Sequence, residues 1–149
     1  MPNPKWYKYV RILIFSLILG GCNSGAVTHE VVKDKNGEVT FLLKAVRDGS
    51  VHFYTYRYKG TNINFFIRMD GAGNLHTYFD ACYTCYRYKK GYTVSENYIV
   101  CNECGKKYRL ADEVWIDATG CAPINLKSEI RGDSLVVLRD NIIKGKGFF

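Results

Sequence analysis

Cys82-Tyr83-Thr84-Cys85 and Cys101-Asn102-Glu103-Cys104 form two C-x-x-C pairs, with 15 residues between Cys85 and Cys101. A tight knuckle turns both thiols of such a pair the same way, so each pair can present two sulfurs to one ion. Gly105, directly after the second pair, suits that turn. Four thiolates at this spacing match tetrahedral zinc or an iron–sulfur cluster. Cys82, Cys85, Cys101 and Cys104 are therefore the candidate metal ligands. Two other chemistries stay open for the same thiols. Disulfides form in exported proteins, although a C-x-x-C bridge closes a very short loop and cross-links little. A thiol–disulfide exchange pair usually opens a helix within a βαβ pattern, and neither pair has that setting. Covalent haem needs C-x-x-C-H; Tyr86 and Gly105 stand at the His positions, which excludes it.

Other chemistry is poorly supported. Asp80, Glu103 and Asp112 show no paired-carboxylate arrangement, and no Ser-His-Asp set, phosphate loop or dinucleotide fingerprint occurs. The reading is a non-enzymatic protein. His29, His52 and His76 are isolated among apolar residues and read as structural or surface histidines. Arg87, Lys89, Lys90, Lys106, Lys107 and Arg109 cluster around the cysteines. They read as a solvated basic rim, and nearby cations also favour thiolate over thiol.

The N-terminus supplies a sixth cysteine with different chemistry. Lys5, Lys8 and Arg11 precede the apolar run Ile12–Leu19, which Gly20, Gly21 and Cys22 close. A basic start, a short apolar stretch and small residues describe a secretory signal. The apolar run is shorter than the roughly 20 residues a spanning helix needs. Leu19-Gly20-Gly21-Cys22 is similar to the lipobox of bacterial lipoproteins, which implies cleavage before Cys22 and acylation of its thiol. Residues 1–21 are then the signal peptide, 22–30 a lipidated tether and 31–149 the cysteine-rich domain. Multiple acyl chains would hold the protein stably on the membrane. Removing residues 1–21 leaves 18 basic and 14 acidic residues, a charge of +4. That surplus does not call for nucleic acid, and an exported lipoprotein would meet none.

The cysteine loops need elements to carry them, and the pattern is that of strands and turns. The chain has 149 residues, 12 of them Tyr and 8 Phe, which suits one β-rich domain. Val31-Val32 and Val39–Val46 read as two strands around the Asn36-Gly37 turn. Ser50–Tyr58, Ile63–Met69 and Leu75–Phe79 follow, separated by Gly60-Thr61-Asn62 and by Asp70-Gly71-Ala72-Gly73-Asn74. Tyr98–Val100 and Leu135–Leu138 are further strands, and Tyr108–Val114 is the one candidate short helix. Asp34, Asn36 and Glu38 imitate the start of a calcium loop, but Ala45 stands where its closing Glu belongs. Tyr83, Tyr86, Tyr88, Tyr92, Tyr98 and Tyr108 read as aromatic packing in a domain too small for a large aliphatic core. The expected fold is mainly β, a small antiparallel barrel or sandwich with two C-x-x-C ligand loops.

Four ordered blocks carry a family resemblance. They are Phe79-Asp80-Ala81-Cys82-Tyr83-Thr84-Cys85, Lys90-Gly91-Tyr92, Val100-Cys101-Asn102-Glu103-Cys104-Gly105 and Gly120-Cys121-Ala122-Pro123-Ile124-Asn125-Leu126. They resemble the FDxCxxC, KGY, CxxCG and GCNPxPL blocks of the FtrD-like membrane iron–sulfur-containing proteins. Ala122 replaces the usual Asn and Asn125 the usual Pro. Many relatives carry several membrane helices, whereas this chain has one short apolar run. The resemblance implies an iron–sulfur cofactor and a link to ferrous iron uptake, with a redox or iron-transport partner in the membrane.

A more distant likeness concerns the fold. Rieske domains space two ligand pairs in a similar way and then carry a G-P-A-P loop, which Gly120-Cys121-Ala122-Pro123 resembles. This implies a Rieske-like barrel and a 2Fe-2S cluster, with Cys at every ligand position in place of two His. Full thiolate ligation would lower the potential relative to a Rieske centre. The same likeness would set Cys121 beside the cluster as a fifth thiol, a cover or an alternative ligand. Otherwise Cys121 is a buried small hydrophobe.

Two functions follow. The first is an extracytoplasmic, lipid-anchored protein of the bacterial cell envelope that transfers electrons or handles metal through an iron–sulfur centre. The second is an interaction module held by structural zinc or by disulfides. The absence of a twin-Arg pair near the N-terminus favours the second, because the chain would then cross the membrane unfolded and without a preassembled cluster. The family resemblance and the Rieske-like frame outweigh this and favour the first. The first test concerns the anchor. A fatty-acid analogue fed to the host should label the wild-type chain and leave Cys22→Ala unlabelled; equal labelling would end the lipoprotein reading.

Overall fold

Three neighbouring strands have side chains buried on both faces, and this sets the architecture. The computed structural model describes residues 27–115 and 120–149. The expected signal peptide, Cys22 and the tether up to residue 26 lie outside the described residues. In chain order the elements are β1 (Glu30–Val32), β2 (Glu38–Leu42), α1 (Leu43–Val46), β3 (His52–Tyr58), β4 (Thr61–Met69) and β5 (Leu75–Cys82). They continue with β6 (Tyr92–Ser95), β7 (Tyr98–Cys101), β8 (Lys107–Arg109), β9 (Pro123–Asn125), β10 (Glu129–Arg131), β11 (Ser134–Leu138) and α2 (Arg139–Lys144). The central sheet has the order β1-β3-β4-β5-β9.

Alternation along a strand sends successive side chains to opposite faces. Ile63, Phe65 and Ile67 of β4 therefore share one core with Tyr54 and Tyr56 of β3 and with Phe79 and Ala81 of β5. Phe66, Phe53, Tyr78 and Cys82, from the same three strands, enter a second core. The first core is closed by β2 and β11 of the β10-β11-β2 sheet and by Ile142 of α2. The second is closed by Tyr92, Ile99, Cys101 and Tyr108 of the β6-β7-β8 sheet. Ile63, Phe65, Phe66 and Ile67 are all completely buried, each worth about 1.5–3 kcal/mol of removal from water. The cysteines lie in the second core.

The fold is mainly β and built of small sheets, as the strand-and-turn pattern predicts. Details differ where tertiary pairing overrides the local signal. Asn36-Gly37 does turn the chain, with φ of 55° and 83°. The strands flanking it do not pair as a hairpin, however: β1 runs parallel to β3, and β2 pairs with β11. Val39–Val46 is not one strand, since its second half forms α1. The expected helix over Tyr108–Val114 is absent; β8 ends at Arg109 and turns follow. That stretch is held by distant partners instead. Arg68 of β4 is completely buried. It donates from Nη1 to the Leu110 carbonyl at 2.9 Å and from Nη2 to the Glu113 carbonyl at 3.2 Å. Its guanidinium lies 4.0 Å from the Trp115 ring centroid.

All three histidines have an aspartate partner: His29 with Asp80, His52 with Asp48 and His76 with Asp70, at 2.8–2.9 Å. Asp70 also accepts the backbone N–H groups of Ala72 and Asn74, closing the β4–β5 turn. The bond to His76 leads the interactions that hold its carboxyl well below the usual range. The tyrosines divide. Tyr92 and Tyr108 are core residues, whereas Tyr83, Tyr86, Tyr88 and Tyr98 are exposed.

The buried guanidinium generates a test. Arg68→Ala orphans two carbonyls and removes a cation–π contact, so it should cost about 3 kcal/mol or more. Urea denaturation measures this, and a loss below about 1 kcal/mol would contradict the assigned role.

Candidate metal centre

Three separate segments deliver the thiols. Cys82 is the last residue of β5, and the chain turns at once: the Cys85 N–H donates to the Cys82 sulfur at 3.0 Å. A short 3-10 turn, Tyr86–Tyr88, then carries the chain to β6. Cys101 ends β7 and pairs with Tyr92 at the start of β6. The second knuckle closes through Gly105 N–H to the Cys101 carbonyl at 2.9 Å, with Gly105 at φ 71°. Cys121 arrives from a third direction, two residues before β9. Pairing of Cys82 with Pro123, and the Tyr83 N–H to the Ala122 carbonyl, place it against the first loop.

The two knuckles are tied to each other. Asp80 is buried and accepts the Tyr92 N–H at 2.7 Å, while its other oxygen meets His29 at 2.9 Å. Asn102 donates its backbone N–H to the Gly91 carbonyl and its side-chain amide to the Lys90 carbonyl. Lys90 pairs with Glu103 at 2.7 Å. The Tyr92 hydroxyl donates to the Cys121 carbonyl at 3.2 Å, so all three cysteine segments are cross-braced.

The sulfurs of Cys82, Cys85, Cys101 and Cys121 all lie within 4.8 Å of one another. Cys121 stands 3.8 Å from Cys82 and 3.7 Å from Cys85, sulfur to sulfur. Cys104 is exposed, and its sulfur is 2.8 Å from that of Cys121. The structure therefore brings both predicted pairs together and adds Cys121. Thr84, inside the first pair, is a site residue that the C-x-x-C pattern does not single out. Its hydroxyl donates to Cys121 at 3.3 Å and lies 3.7 and 3.6 Å from the sulfurs of Cys82 and Cys85. Its position between two cysteines was the available signal.

Burial pushes the Cys101 thiol up to about 12 and raises Cys121 and Cys85 as well. Burial also acts on Cys82, but the Thr84 hydroxyl and the Cys85 N–H outweigh it and bring that thiol below its ordinary value. Cys104 is likewise lowered, burial being outweighed by hydrogen bonds from Cys121 and the Lys106 N–H. Without a cation, so close a group of sulfurs cannot all ionise; metal binding would release their protons. An all-sulfur donor set selects soft or borderline ions such as zinc or the iron of iron–sulfur clusters. The residues fit such a group.

Two glycines provide a test of the brace. Gly91 has φ 60°, and a Cβ there would lie 2.5 Å from an Asp80 carboxylate oxygen. At Gly105, φ 71°, a Cβ would meet nothing within 4 Å. Gly105→Ala should cost only the left-handed penalty of about 1–2 kcal/mol. Gly91→Ala should cost clearly more in the same urea titration, because Asp80 must also move; equal losses would contradict this.

No protein of curated function matches the chain. A solved structure similar to it is that of the quaternary ammonium Rieske monooxygenase CntA in complex with an inhibitor. The two are 14% identical with a TM-score of 0.46, over 69% of this chain and 31% of that one. The chain thus spans about a third of that protein's length. Residues 46–149 match the family model described as "Membrane iron-sulfur containing protein FtrD-like". The match takes in all five clustered cysteines and the braces between them, and the chain belongs to the FtrD-like family of membrane iron–sulfur-containing proteins.

Proposed function

We propose that this chain is an electron carrier, not an enzyme, whose iron–sulfur centre sits in the cysteine cluster. The carrying observation is that thiols from three segments converge within 4.8 Å in a member of an iron–sulfur-containing family. Cys82, Cys85 and Cys101 each supply a sulfur, and the fourth comes from Cys104 or Cys121. The form we propose is 2Fe-2S. When bound, the centre accepts and returns one electron.

The protein's part is to hold, shield and expose. Cys82, Cys101 and Cys121 are buried against Tyr92, Phe66 and Tyr78, which limits access of water from the core side. Cys85 is half-buried and Cys104 exposed, and Tyr83 and Tyr88, close to Cys85 in the chain, are exposed as well. That open edge is where a redox partner would approach. Thr84, donating to sulfur, stabilises negative charge on the thiolates and so favours the reduced form of the centre.

We place the protein on the extracytoplasmic side of a bacterial membrane, anchored through lipid on Cys22, with a membrane redox or iron-transport protein of ferrous iron uptake as partner. Among the described residues, no helix is long and apolar enough to cross a membrane. A structural zinc is the competing occupant. The sulfur spacings of 3.7 and 3.8 Å suit a single tetrahedral ion as well, since bonds of about 2.3 Å give tetrahedron edges of about 3.8 Å.

Optical spectra separate the two. The protein purified without oxygen from its native host should be coloured, contain iron and acid-labile sulfide, and bleach on adding dithionite. Colourless protein with one zinc per chain would overturn the electron-transfer reading, because zinc has no redox chemistry and no visible charge-transfer band.

A further inference from the structure

Five thiols converge where four ligands suffice, and their geometry distinguishes them. We propose that Cys121, and not Cys104, supplies the fourth sulfur, with Cys104 beside the group as a non-ligating thiol. This rests on the metal reading above and decides its ligand set.

Three observations favour Cys121. Its sulfur stands 3.8 Å from Cys82 and 3.7 Å from Cys85, matching the edge of about 3.8 Å between two thiolates on one tetrahedral metal, whether a lone ion or one iron of a cluster. Together with Cys101 these sulfurs form the group in which every pair lies within 4.8 Å. Second, Cys121 is buried, whereas Cys104 is exposed to water and to competing reagents. Third, Cys121 is positioned from both sides. Its sulfur receives the Thr84 hydroxyl at 3.3 Å, its carbonyl receives the Tyr92 hydroxyl at 3.2 Å, and β9 follows directly behind it. Ligands held by outer partners in this way are preorganised.

The same geometry excludes both thiols acting together on one ion. Their sulfurs are 2.8 Å apart, well short of a tetrahedron's edge of about 3.8 Å. They contend for one corner, and the buried, braced thiol holds it. In this arrangement Gly120-Cys121-Ala122-Pro123 is a third ligand loop, and the second C-x-x-C pair contributes one sulfur.

The test uses the full-length chain in detergent, stripped of metal and titrated with Co²⁺, whose bands report the number of coordinated thiolates. Cys104→Ser should bind cobalt as wild type does. Cys121→Ser should bind it more than about 100-fold more weakly, beyond the effect of losing an outer partner, while keeping its far-ultraviolet circular dichroism. A second measurement needs no substitution. Cobalt-loaded wild-type protein is treated with iodoacetamide and mapped by mass spectrometry; Cys104 should be alkylated while Cys82, Cys85, Cys101 and Cys121 are protected. Wild-type-like binding by Cys121→Ser, or an equal loss in Cys104→Ser, overturns the proposal. So does alkylation of Cys121 with protection of Cys104. A wild-type chain that binds no cobalt and, purified without oxygen, holds neither iron, sulfide nor zinc overturns the metal reading itself, and this assignment with it.

Discussion

The buried carboxylate of Asp80 is the interaction on which the cysteine site depends. It stands two residues before Cys82 and accepts the Tyr92 N–H at the far end of the first cysteine loop. One charged group thus closes a loop of 11 residues at its base, where a neutral acceptor would bind less strongly. Its second oxygen meets His29, so the carboxylate is taken out of water with both oxygens engaged. An unpartnered buried carboxylate would be costly. Gly91 is required beside it because any side chain would fall on the carboxylate, and its φ of 60° suits glycine.

The second constraint is the central sheet with two buried faces. A sheet covered on one side would leave alternate residues of β3, β4 and β5 polar. Here Phe53, Phe66, Tyr78 and Cys82 on alternating positions build a second core. That core is what allows the β6-β7-β8 sheet to sit against the end of β5 and bring Cys101 to Cys82. Arg68 extends the same face, fastening the turns after β8 by their carbonyls. A guanidinium suits this role because its donors diverge in a plane that also stacks on Trp115.

The division between buried and open thiols gives the site a direction. Hydrophobic and aromatic groups back Cys82, Cys101 and Cys121, while Cys85 and Cys104 border solvent. Low-dielectric backing would strengthen the hold of these sulfurs on a metal, and the open edge leaves two of the thiols within reach of solvent. Lys90 and Glu103, paired across the two knuckles, hold that edge together without adding net charge.

The chain's own residues determined the mainly β class, the two knuckles and the chemistry they could carry. Alternation, Asn-Gly and Gly-rich turns, and C-x-x-C spacing are local signals, and local geometry is what they encode. The pairing of β1 with β3 rather than β2 was not legible, because the Asn36-Gly37 turn bends the chain but does not choose its neighbours. Nor was the loss of the expected helix after Tyr108, where Arg68, 42 residues earlier, supplies the hydrogen-bond partner at Leu110. Cys121 shows the limit most clearly. Its role as a neighbour of the cluster was suggested by likeness alone, since no spacing relates it to either pair. Tertiary structure decides its place, because the β5–β9 pairing and the Tyr92 hydroxyl bring together residues that the sequence keeps about 30 to 40 apart.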